Sequence, residues 1–316
     1  MLKVNKEAMK IVSTLLENPE LYGVTEKRLA CGATIIDTGL QTNGSYQAGL
    51  MVTEIAMGGL GKATLTVANF GELTLPSIIV ETSHPTVALF GCQLAGWRIK
   101  LEDFAADASG PGRTLSGKPG SVFRKIGYRD SSTESVLLLE TKQPPDDKAA
   151  TEIAKACNVS PPDLYLLLTT TTSLVGTVQI SGRIVETGLF RLDFLGFDCG
   201  KVLSGIGSAP IMPPHPDHGV AMGRCEDALT YGGFAHFEVD HQSDPELQEY
   251  VWKAPSTNSK DYGKNSYQVY KAVNFDFTQI DPAIFAPAKL CITNKRTGTV
   301  FSKGEINSEV LSRALV

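Results

Sequence analysis

Residues 217–239, DHGVAMGRCEDALTYGGFAHFEV, set a helix, a stop and a strand side by side. Asp217 offers a side-chain cap for the opening amides, and the helical sequence runs to Thr230. Gly232-Gly233 ends it, and Phe234 to Val239 is a strand-length apolar segment. The same order occurs earlier: helix 46–57, then Gly58-Gly59, then strand 63–69. It is a weak hint of duplication, because paired glycines commonly follow helices. Outward from these segments, helices are expected at 5–16, 146–157 with Asp146 as cap, 184–197, 267–272 and 308–315. Strands are expected at 33–37, 76–82, 86–90, 135–140, 164–170, 175–180 and 289–293, with Gly/Pro-rich loops at 108–125 and 204–218. Alternation throughout implies a mixed α/β (α+β) class with two interleaved α/β domains. The first is expected at 1–95, completed by 270–316, and the second at 96–269.

The 316 residues carry 29 Lys and Arg against 34 Asp and Glu, a net charge of -5. Nucleic-acid proteins usually show the opposite excess, so no nucleic-acid partner is expected. The start lacks the apolar run of a signal peptide, and the longest apolar stretches are strand-sized. A cytoplasmic location without membrane association follows as the expectation, and the 6 scattered cysteines read as reduced, buried thiols.

The sharpest chemical feature is Ser181-Gly-Arg-Ile-Val-Glu-Thr-Gly188, read as opening a helix just after a strand. Arg183 and Glu186 lie three apart on one helical face. Phe190 and Phe194 continue that face, while Val185, Leu189 and Leu192 fall on another. Spacing alone also fits a surface salt bridge worth under about 1 kcal/mol. An aromatic stripe beside it is unusual on a surface, and a carboxylate between aromatic walls and an arginine can act as a general base. A second feature is Ser109-Gly110-Pro-Gly-Arg113 with Lys118 behind it. Glycines can turn amides inward as an anion nest, and an arginine can grip a carboxylate or phosphate bidentately. As a bare pattern it also fits a solvated turn.

Two motifs fail on inspection. Gly205-Ile-Gly207-Ser-Ala-Pro210 lacks the third glycine of a dinucleotide fingerprint, and Pro213-Pro214 blocks the receiving helix, so no Rossmann fold is expected. His215-Pro-Asp-His218 has metal-pair spacing, but Pro-Asp suits a surface turn and no Cys-x-x-Cys follows. No metal site is expected.

Several segments together resemble one family. They are 82–85 (TSHP) through 90–97 (FGCQLAGW), 108–113 (ASGPGR), 172–187 (TSLVGTVQISGRIVET), 221–224 (AMGR) with 231–233 (YGG), 261–264 (DYGK) and 280–288 (IDPAIFAPA). Their order is similar to that of methenyltetrahydromethanopterin cyclohydrolases, enzymes of archaeal and methylotroph one-carbon metabolism. The resemblance implies a homotrimer of two-domain subunits with a substrate pocket between the domains. A tetrahydromethanopterin derivative is then the substrate, with no permanently bound cofactor. The family's catalytic pair matches Glu186 as base and Arg183 as its orienting partner. Gln93, Ser109, Gly110, Arg113, Lys118, Phe190, Asp227 and Asp261 are expected as substrate contacts, with Glu81 a further guess for the pterin ring. Departures fall at Ala108 and Gly112, at Cys225-Glu226 and at Thr169–Thr172. The competing expectation is a non-catalytic homologue that binds reduced pterins.

Overall fold

The computed structural model describes residues 2–315. It divides into two compact units, each built from two chain segments: residues up to Lys62 with Thr86–Gln179, and Ala63–Pro85 with Ile180 onward. The division therefore differs from the expected cuts at 95 and 269. Its strands are β1 (Thr25–Arg28), β2 (Thr34–Asp37), β3 (Gly61–Phe70), β4 (Leu73–Thr82), β5 (Trp97–Lys100), β6 (Ala105–Ser109), β7 (Ser135–Thr141), β8 (Leu164–Thr169), β9 (Val202–Pro210), β10 (Phe234–Val239), β11 (Lys289–Asn294) and β12 (Val300–Gly304).

The first unit holds a mixed sheet ordered β1-β2-β8-β7-β6-β5, with parallel pairing at β2–β8 and β8–β7. Its central strands read as unbroken apolar runs because both faces are covered. Leu137, Leu139, Leu166 and Leu168 pack with Ile153 and Ala150 of the Asp147–Cys157 helix. The alternate residues Val136, Leu138 and Leu167 pack with Val12 and Leu15 of the Val4–Glu17 helix and Val52 and Ile55 of the Tyr46–Ala56 helix. Each such leucine contributes about 1.5–3 kcal/mol of burial. Asp146 caps its helix as expected, accepting from the Ala149 amide at 2.7 Å.

The second unit carries the other mixed sheet, ordered β12-β11-β10-β9-β4-β3. Here burial alternates: Ala235, Phe237 and Val239 of β10 are buried between half-buried neighbours. The covered face takes the Ile184–Phe194 helix. Its approach is so close that a Cβ on Gly188 would stand 2.9 Å from the Ala235 Cβ, and one on Gly205 2.7 Å from Val185 Cγ1.

Four expectations are corrected. Residues 175–180 lie in a helix, Leu174–Ser181, opened by Ser173, whose Oγ accepts from the Gly176 amide at 3.0 Å. That hydroxyl cap outweighs the β-branched composition. The segment carrying Arg183 and Glu186 therefore follows a helix, not a strand. Residues 86–90 belong to a π-helical segment, Thr86–Gln93. Half of the 204–218 loop is strand β9, whose glycines make room for the helix above it. The 108–125 loop contains two short helices, Gly112–Ser116 and Gly120–Ile126.

Candidate active site

Glu186 lies in the first turn of the Ile184–Phe194 helix and is 7% exposed. A carboxylate there meets the positive end of the helix dipole, a favourable placement. Arg183 occupies the cap position and is half-buried. Val185, Leu189 and Leu192 are fully buried, as the helical wheel requires, while Phe190 and Phe194 are 42% and 58% exposed. One helix thus presents an arginine, an enclosed carboxylate and an open aromatic stripe, and its opposite stripe anchors it to the sheet. A buried carboxylate on a rigid, glycine-seated helix is not the solvated salt bridge that spacing alone allowed.

Asp227 is tied down elsewhere. It is 1% exposed and accepts from the Ser266 amide at 2.8 Å and hydroxyl at 2.7 Å. Burial raises its pKa to about 7. Asp261 pairs with Lys264 at 3.0 Å. The sequence-based expectations passed over Glu226, on the His218–Gly232 helix beside Asp227.

In the first unit, the expected anion nest is used internally. Gly110 takes a φ of 98°, a conformation that side chains rarely adopt, and its amide donates to Cys92 O at 2.7 Å. Arg113 is fully buried, donating to Phe90 O at 3.0 Å and Lys118 O at 3.1 Å, with Gly91 O and Cys92 O at 3.4 Å. Its guanidinium lies 5.5 Å from the Phe123 ring centre. Arg113 was expected to grip substrate; in the structure its guanidinium clamps the π-helical segment to the loop. Ser109 and Gln93 are buried in the same unit. Lys118 is exposed, its ammonium 4.8 Å from the Trp97 ring centre. With Arg98, Lys100 and Lys155 it lines a cavity of about 440 Å³ that includes a single acid, Glu152.

No group of three or more His, Cys, Asp or Glu among the described residues is placed to hold a metal ion. His215 Nδ1 accepts from the Asp217 amide at 3.0 Å, and Asp217 caps the following helix, the surface-turn arrangement expected. All six cysteines are free thiols, four of them buried. No described helix is long and apolar enough to cross a membrane.

A family model described as Cyclohydrolase (MCH) matches residues 3–315. The chain belongs to the cyclohydrolase (MCH) family. The resemblance drawn from the scattered segments is borne out over their whole span. Among cyclohydrolases, the chain is 40% identical to the methenyltetrahydromethanopterin cyclohydrolase of Methanocaldococcus jannaschii, over 100% of this chain and 98% of the relative. It is 38% identical to the enzyme of that name from Methanothermobacter marburgensis, over 99% of each chain. The Methanococcoides burtonii cyclohydrolase is 37% identical, over 98% of this chain and 97% of its own.

Proposed function

We propose that this cyclohydrolase hydrolyses the cationic methenyl bridge of methenyltetrahydromethanopterin to the formyl derivative, with Glu186 as general base and Arg183 orienting it. The observation that carries the reading is the enclosed Glu186 carboxylate, in the first turn of a helix that Arg183 opens and that is seated against the sheet. The bridge is amidinium-like and already electrophilic. Water attacks its carbon, and as the carbon–oxygen bond forms Glu186 accepts the water proton. The neutral adduct collapses: one carbon–nitrogen bond breaks, the departing ring nitrogen takes a proton, and the hydroxyl becomes the formyl carbonyl. Arg183 aims the carboxylate and tempers its grip on the cationic ground state. The open Phe190 ring offers an apolar wall to the pterin. The assembly proposed is a homotrimer, and the setting cytoplasmic one-carbon metabolism.

Mixing the protein with methenyltetrahydromethanopterin should abolish the methenyl absorbance. Binding without bleaching would identify a non-catalytic reduced-pterin binder. Faster bleaching of the folate analogue would reassign the substrate. Activity should survive exhaustive chelation, because the substrate supplies its own positive charge. Chelated enzyme that is dead until zinc is restored would overturn this mechanism.

Lys118 is proposed to meet the anionic tail of the substrate. Lys118→Ala should raise KM and flatten its salt dependence, leaving kcat within about twofold of the parent. A large loss of kcat at unchanged KM would reject that role.

A further inference from the structure

The outer strand of the first sheet, β5, pairs with β6 alone. Its Trp97 and Ile99 share a buried cluster with Ile153 and Ala154 of the Asp147–Cys157 helix. Both elements line the cavity of about 440 Å³ that Lys118 also borders, a volume within the range of small-molecule sites. Its cations come from three separate elements. Arg98 and Lys100 belong to β5, Lys155 to the last turn of the helix, and Lys118 to the loop between the Gly112–Ser116 and Gly120–Ile126 helices. Lys118 is fixed at both ends: the buried Arg113 donates to its carbonyl at 3.1 Å, and its ammonium rests 4.8 Å from the Trp97 ring centre. Arg98 is neutralised by Asp107 on β6. Among the described residues, Lys100, Lys118 and Lys155 form no ion pair.

We propose that this cavity is an anion site, in which Lys100, Lys118 and Lys155 bind a doubly negative group of the phosphate monoester class. Charged side chains on an outer strand commonly keep other strands from pairing with it. That accounts for Arg98 and Lys100 but not for Lys118 and Lys155, which converge on the same concavity from other elements. Three lysines against the single Glu152 leave two positive charges there, in a chain whose net charge is -5. A phosphate monoester near pH 7 carries about 1.5–2 negative charges and balances them, whereas a lone carboxylate leaves one over. Each ammonium is a point charge on a flexible stem, able to reach any of several phosphate oxygens. The buried Trp97, Ile99 and Ile153 give the concavity apolar walls, which concentrate the field. The anion has two sources, the tail of the substrate or a separate small phosphate ester. Only the first rests on the role given to Lys118 above, and neither depends on Glu186.

Titration calorimetry at low salt with glycerol 3-phosphate, a plain phosphate monoester, tests the site. One equivalent should bind; acetate at equal ionic strength should not. Lys100→Ala and Lys155→Ala should each weaken binding by about fivefold, the worth of one contact between unit charges about 4 Å apart in water. Lys148→Ala is the control, since Lys148 pairs with Glu102 and does not line the cavity, and it should bind as the parent does. Absence of saturable binding, or equal weakening in Lys148→Ala, overturns the proposal and leaves the lysines as diffuse surface charge. Steady-state kinetics then separates the sources. A competitive rise in KM for the methenyl substrate that Lys100→Ala relieves places the substrate tail in the cavity; binding at unchanged KM assigns it to a separate phosphate ester. Calorimetry requires no turnover, so a parent that leaves the methenyl chromophore intact rejects the Glu186 reading and leaves the anion site standing.

Discussion

Glu186→Gln is expected to lower turnover by about 10²–10⁴-fold, the usual contribution of a positioned base. The amide keeps the volume and hydrogen-bonding reach of the glutamate but accepts no proton near neutral pH. Folding should be unaffected, since the anchoring surface of that helix is Val185, Leu189 and Leu192, all fully buried. Single-turnover hydrolysis by variant protein with the parent's circular dichroism and melting point isolates the chemical step. Near-parental rates there would return Arg183 and Glu186 to the status of a structural pair. Arg183→Ala should also slow turnover, by releasing the carboxylate from its aim.

Arg113→Ala carries the largest expected effect on stability. The guanidinium is fully buried and donates to carbonyls on two separate segments, Phe90–Cys92 and Lys118. Truncation leaves those buried acceptors without their donor and opens a void beneath Phe123, together about 3–5 kcal/mol. At about 2–4 °C per kcal/mol for a domain of this size, calorimetric melting should fall by roughly 10 °C. Arg113→Lys keeps the charge but loses the planar fork, so it should restore only part of that loss. A parental melting point with raised KM would instead support the substrate-gripping role.

The elements that were legible in the sequence are those whose signals are local. The Asp146 cap and the Gly232-Gly233 stop mark their helices within a few residues. The stripe of Val185, Leu189 and Leu192 follows from helical geometry, and the Glu186–Arg183 pair was found on the same wheel. The missed elements depend on partners distant in sequence. The carbonyls of Phe90–Cys92 in the π-helical segment meet Arg113, more than twenty residues on. Glycine-rich β9 reads as loop until the helix lying on Gly205 and Gly207 is present. Arg113 looked like a ligand grip because a basic residue after Ser-Gly-Pro-Gly gives no sign of which way it points. Residues 175–180 were misread despite a local clue, the hydroxyl of Ser173.

The interleaving of the two units bears on how the chain is made. Strand β2 must wait for β8; the Thr38 hydroxyl bonds to Leu168 O across 130 positions. The segment Ala63–Pro85 leaves the ribosome between the two parts of the first unit but joins a sheet whose other strands begin at Val202. Synthesis therefore exposes unpaired strand edges for most of translation, and neither sheet closes early. Truncation at any single point between β1 and β12 removes strands from at least one sheet, so an isolated half needs two segments rejoined by a new linker. Refolding should be slow for a protein of this length, and temperature during expression should govern yield more strongly than it does for proteins whose domains are contiguous in sequence.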